Sequence, residues 1–282
     1  MNIKVLNESV IGFKHKNNNR NMEDFSGSFV SENQEYAIAA VADGHGDFRC
    51  CRSYIGSQIA IEVVLEQFKK FSEQLNLNTE ISISDLKEQL YFVFSNNIIK
   101  GWKMKCLQHF KENPMTFHEQ EQYGKDFSTE YEPIVLYGTT LIAALRYADD
   151  LIVIQQGDGD VVMLYEDRRI DMPIHKDRRC YKNITTSLCD LDSEISYSMN
   201  IFDIKKSKII ACFLSTDGLK NSFDMDEEMF KFYSCLCTKI LKGQSQWIDE
   251  LSVLSMNGSH DDISVAGIYD LDQIERWIQT VY

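Results

Sequence analysis

The chain is short of positive charge: 29 lysines and arginines stand against 43 aspartates and glutamates, a net charge of −14 over 282 residues. That deficit argues against nucleic acid and anionic membrane as partners, because both reward basic patches. No run reaches the about eighteen apolar residues of a membrane span, and the opening MNIKVLNESV has no long apolar core. The expectation is a soluble, cytoplasmic protein. Eight cysteines are present, yet no two are spaced Cys-x-x-Cys, which disfavours a zinc site. They read as mainly reduced and structural, with Cys212 packing as a small hydrophobe inside an apolar run. Neither an internal repeat nor a low-complexity tract is found.

What is present is enough apolar matter, 44% of residues, to bury a substantial core. One domain over residues 1–282 is expected, because the acidic motifs described below would be separated by any division. Apolar and β-branched runs predict strands at 36–42, 139–147, 151–155, 161–165, 209–214 and 263–269. Short polar breaks at Ala148-Asp149-Asp150 and Gly157–Asp160 separate three of them, which predicts an antiparallel meander. Helical spacing of Ile61, Val64, Phe68, Phe71 and Leu75, then of Leu86, Leu90, Val93, Phe94 and Ile98, predicts two amphipathic helices with a break near 76–84. Met229, Tyr233, Leu236 and Ile240 give another stripe, and 271–281 a closing helix. Residues 111–133 and 171–200 lack periodicity and read as surface loops. Strands and helices in separate blocks indicate an α+β fold.

Five acidic motifs recur in order: Asn21-Met22-Glu23-Asp24, Asp43-Gly44-His45-Gly46, Gly157-Asp158-Gly159-Asp160, Ser215-Thr216-Asp217-Gly218 and Asp261-Asp262-Ile263-Ser264. Alone, each Asp-Gly pair is a common turn. Together they place carboxylates where strands end, and clustered carboxylates must be compensated. Only Arg20, Arg49 and Lys220 lie close in sequence, so divalent cations are the natural counter-charge. Oxygen ligands suit Mn²⁺ or Mg²⁺. Two such ions roughly 3.5–4 Å apart can share one water and make it a nucleophile. The spacing around Asp158-Gly159-Asp160 lacks the downstream acids of a calcium loop. His15, His109, His118, His175 and His260 read as surface residues.

This ordered set resembles the metal-dependent serine/threonine phosphatases of the PP2C type, the PPM family, over nearly the whole chain. The resemblance implies an antiparallel β-sandwich flanked by helix pairs, a four-layer α-β-β-α fold. It implies that Glu23, Asp24, Asp43, the Gly44 carbonyl, Asp217 and Asp261 hold two metal ions, with Asp158 fitting the ligand of a third. His45 matches the general acid that protonates the leaving alkoxide. Three positions depart from the pattern. Asp160 stands where the family often has Arg, and Asp262 where Asn is usual. Asn19 occupies the place of the phosphate-binding Arg, which leaves Arg20, or else Lys16 or His15, for that task.

The implied activity is metal-dependent hydrolysis of phosphoserine or phosphothreonine on proteins, opposing a serine/threonine kinase. No Cys-x5-Arg signature of a covalent phosphatase is present. Two other readings stay open: a phosphoprotein-binding module without turnover, and hydrolysis of small phosphate esters, with 171–200 deciding between substrate classes.

Overall fold

The structure is a computed structural model that describes residues 2–76, 83–123, 132–181 and 184–279. In chain order its elements begin with β1 (Ile3–Val10), α1 (Phe13–Asn17), β2 (Phe25–Val30) and β3 (Tyr36–Ala42). A helical block follows: α2 (Ser53–Asn76), α3 (Ile83–Phe92), a π-helical stretch Val93–Ile99, α4 (Lys100–Glu112) and α5 (Phe117–Tyr123). Then come β4 (Leu141–Tyr147), β5 (Asp150–Gln156), β6 (Asp160–Tyr165), β7 (Ile170–Asp171) and β8 (Ser198–Asp203). The chain closes with α6 (Ile204–Ser207), β9 (Ile209–Ser215), α7 (Asp217–Lys220), α8 (Asp226–Leu241), α9 (Gln246–Asn257), β10 (Ile263–Asp270) and α10 (Leu271–Gln279).

Two five-stranded antiparallel sheets stack face to face, one ordered β1-β10-β9-β6-β7 and the other β2-β3-β4-β5-β8. Period-two alternation divides β3 between two cores. Ala37, Ala39 and Val41 meet the opposite sheet, whereas Tyr36, Ile38, Ala40 and Ala42 meet the helices. Both faces are covered, which is why the strand reads as an unbroken apolar run rather than an alternating one. The predicted stripe Ile61, Val64, Phe68, Phe71 and Leu75 lies on α2 and packs on the β2-β3-β4 side together with Leu90, Phe94, Ile98 and Trp102. On the other side Met229, Tyr233 and Leu236 of α8, Leu251 of α9 and Ile274 of α10 cover β9 and β10. The fold is thus α+β in four layers, α-β-β-α.

Several expectations need correction. The predicted three-strand meander does not form: β4 pairs with β5, but β6 crosses to the second sheet and pairs with β9. Gly157 adopts φ +115° at the crossing, a conformation open to glycine and costly for other residues. β1, β2 and β8 are not among the predicted strands, since IKVLNESV, FSGSFV and SMNIFD carry neither an unbroken apolar run nor a strict apolar alternation. Within 111–133 lies α5, within 171–200 lie β7 and the start of β8, and α9 is an additional helix. The rest of the break at 76–84, residues 124–131 of the predicted loop, 182–183, and the last residues of the helix expected at 271–281 lie outside the described residues. No helix among the described residues is long and apolar enough to cross a membrane.

Candidate active site

Strand register brings the acidic motifs to one end of the sandwich. Phe25 pairs with Ala42, so Glu23 and Asp24 before β2 neighbour Asp43 after β3. Leu141 pairs with Gln156, Asp160 with Ser215 and Val10 with Ile263. Asp158, Asp217 and Asp261 therefore emerge at that same end, and all six carboxylates line a single cleft of about 1060 Å³ with Gly44 and His45.

Gly44 is fixed by close approach. Its amide donates to the Glu23 carbonyl at 3.2 Å, and a Cβ there would stand 2.5 Å from that oxygen. Any side chain would push the first two motifs apart. Thr140 completes the turn, its hydroxyl accepting from the Asp43 amide at 3.0 Å while its own amide donates to the Asp43 carbonyl at 2.8 Å.

The carboxylates repel one another. Burial, followed by the charges of Asp262, Asp261 and Asp217, holds Asp24 well above the usual range. Burial and the neighbouring Asp24, Asp217 and Asp261 do the same to Asp43. Asp217 rises to about 6, first through burial and then through Asp158. Asp24 Oδ2 is buried without a hydrogen-bond partner among the described residues. No group of three or more His, Cys, Asp or Glu side chains among the described residues is arranged to grip a metal ion, yet Asp43 and Asp217 are close enough to perturb each other's ionisation. A buried carboxylate oxygen with no donor beside it and a group of mutually repelling carboxylates are what hard cations relieve, so the donor set fits Mn²⁺ or Mg²⁺.

His45 is anchored through its backbone, the amide donating to the Gly138 carbonyl at 3.0 Å. Burial pulls its pKa down against the upward pull of Asp158, Asp190 and Asp47. Asp158 accepts from the Thr185 hydroxyl at 2.8 Å, which ties 171–200 to the cleft.

His15 is not a surface residue. It is 4% exposed and its Nδ1 stands 3.0 Å from Asp262 Oδ1. The hydrogen bond to Asp262 raises its pKa despite burial. Asp262 is lowered even though burial works upward, because His15 and the amides of Gly12 and Glu23 favour its charge. Those amides donate at 2.5 and 2.6 Å. Asp262 thus clamps the backbone of the first motif while adding its charge to the carboxylates around it. Nothing local in the sequence marks this pair, since 247 residues separate His15 from Asp262 in numbering and only the fold joins them.

Arg20 lines the cleft, but its Nη2 donates to Glu23 Oε1 at 2.8 Å. Arg49 also lines it and grips Asp47 through Nε and Nη2. Lys14, which the sequence did not single out, is a further cation on the wall among the described residues, whereas Lys16 is not on it. Asp160 is buried at 4% exposure and faces Lys176 at 3.1 Å and Lys220 at 3.9 Å. The acid found in place of the usual Arg is therefore an anchor for 171–200.

A two-sheet sandwich with acidic strand ends gathered over one cleft defines a class of α-β-β-α proteins. The chain belongs to the Protein phosphatase 2C family, whose pattern matches residues 11–251. Among solved structures it is similar to the serine/threonine phosphatase Stp1 from Staphylococcus aureus, at 17% identity and TM-score 0.58 over 96% of each chain. PppA, a regulatory component of the type VI secretion system in Pseudomonas aeruginosa, aligns at 14% identity and TM-score 0.59 over 95% of this chain and 98% of its own. The catalytic domain of the phosphatase PstP, solved in complex with two manganese ions, aligns at 16% identity and TM-score 0.54 over 95% and 97%. No curated protein matches the chain in sequence.

Proposed function

We propose that the chain is a single-domain, Mn²⁺- or Mg²⁺-dependent phosphatase that hydrolyses phosphoserine and phosphothreonine on proteins. One observation carries this reading: Glu23, Asp24, Asp43, Asp158, Asp217 and Asp261, from separate strand ends, line one cleft with His45. Asp24, Asp43, Asp217 and Asp261, with Glu23 and the Gly44 carbonyl, would hold two ions, and Asp158 a third. When bound, such ions supply Lewis acidity that activates water and neutralise phosphate charge.

The chain's own groups do the rest. Arg20 exchanges Glu23 for the incoming phosphate and orients it. His45, held at the Gly138 carbonyl, delivers a proton to the departing serine or threonine oxygen. Asp262 and His15 keep the first motif in register. The opposing partner would be a serine/threonine kinase.

The test is phosphate release from a phosphothreonine peptide with Mn²⁺, Mg²⁺ or EDTA, alongside Asp217→Asn. Metal-dependent turnover that the variant loses supports the reading. Phosphopeptide binding with no turnover under any metal would replace it with the binding-module alternative.

A further inference from the structure

Two thiols share the cleft wall beside His45. Cys50 ends the 3-10 turn Phe48–Cys50 and is 6% exposed. Cys189 is half-buried and follows Leu188, whose amide donates to the Thr139 carbonyl at 2.9 Å. Both line the cleft. They meet at Gly138, where an added Cβ would stand 2.9 Å from Cys50 Sγ, 3.3 Å from Cys189 Sγ and 2.8 Å from His45 Cδ2. Two sulfurs touching one such point are within about 6 Å of each other, a gap that side-chain rotation and a small backbone shift can close to a disulfide.

We propose that Cys50 and Cys189 are a modification site, joined by a peroxide-class oxidant into a disulfide that distorts the cleft at His45. The balance is simple. Cys189, which borders the open cleft and has Ser187 Oγ 3.2 Å from its sulfur, attacks one peroxide oxygen and becomes a sulfenic acid as water leaves. The Cys50 sulfur then attacks the Cys189 sulfur and expels hydroxide, which takes up the Cys50 proton as a second water. Two thiols lose two electrons to one hydrogen peroxide, giving a disulfide and two waters. Burial pushes the Cys50 thiol up to about 12 and also raises Cys189, so the reaction quickens as pH rises and thiolate forms.

The bond draws both sulfurs across Gly138, whose carbonyl holds the His45 amide at 3.0 Å. A shift of even about 1 Å at a proton donor can cost turnover roughly a hundredfold. This consequence for activity rests on the phosphatase reading; formation of the bond does not.

The full-length chain is oxidised with hydrogen peroxide in EDTA, its free thiols are blocked, and its peptides are mapped by mass spectrometry. Part of each sample is returned to Mn²⁺ and assayed on a phosphothreonine peptide. The expected result is a cross-link of 50 to 189 that forms faster at higher pH, with turnover lower by at least about tenfold and restored by dithiothreitol. Cys189→Ser should form no such link and keep its turnover under peroxide, while Cys51→Ser should still form it. No cross-link, or one joining another pair, overturns the proposal, and a complete cross-link with unchanged turnover overturns its effect on His45. Absence of turnover before oxidation would instead refute the phosphatase reading, and the peptide map would still decide the thiol pair.

Discussion

Asp217, proposed above as a metal ligand, comes at a cost to the metal-free fold. Its folded pKa near 6 lies above its ordinary value of 3.8, so the native state binds more protons than the unfolded chain between those limits. The contribution of Asp217 to metal-free stability is therefore fully present below about pH 4 and is lost as pH rises through 6. Asp217→Asn removes that proton uptake. The expected outcome is a metal-free variant more stable at pH 7 by about 2 kcal/mol, with a flatter profile between pH 4 and 6 in urea melts. A variant less stable than the parent at pH 7 would contradict the repulsion argument. Arg20 offers a kinetic test. If it exchanges Glu23 for phosphate, Arg20→Ala raises KM for a phosphopeptide about tenfold with kcat largely kept. A kcat loss at constant KM would confine Arg20 to Glu23.

At the scale of elements, α5 is held by one buried cation. The Arg52 side chain is 5% exposed and grips Glu119 at 2.7 and 2.9 Å while also donating to the Asn113 and Pro114 carbonyls. That guanidinium holds Glu119 down at about 2. The stabilisation is thus complete above the ordinary glutamate pKa and is lost as pH falls toward 2. Glu119→Gln leaves Arg52 buried without a counter-charge, for a loss of about 3 kcal/mol at neutral pH. The gap between parent and variant melting temperatures should shrink to nothing near pH 2, and a constant gap would mean that charge is not the cause. The segment before β8 is tied in a comparable way, by Lys176 to Asp160 and by Thr185 to Asp158. Asp160→Asn should weaken turnover of a phosphopeptide more than of a small aryl phosphate, because a peptide extends farther along that segment than a small ester does. Equal losses on both would remove any role of 171–200 in substrate choice.

For the whole molecule, several strand ends meet only because two sheets stack, and divalent ions would bind that assembly and not the unfolded chain. Saturating Mn²⁺ should raise the melting temperature by about 5–10 °C over EDTA, and an unmoved transition would deny the carboxylates their cations. Much of this was legible in the sequence. The apolar run of β3, the stripe of α2 and the ordered carboxylates are short-range patterns set by period and turn chemistry, so family and fold class could be read from them. Sheet membership could not. β6 follows β5 after a three-residue turn yet belongs to the other sheet, since pairing with β9 depends on a segment more than forty residues away. The edge strands β1 and β2 carry too little apolar alternation to declare themselves. Within the site, the spacing of the motifs determined which acids are candidates. The tertiary structure alone decided that His15 is buried against Asp262 and that Asp160 is an anchor, because burial and charge pairing there join residues distant in sequence and adjacent in space.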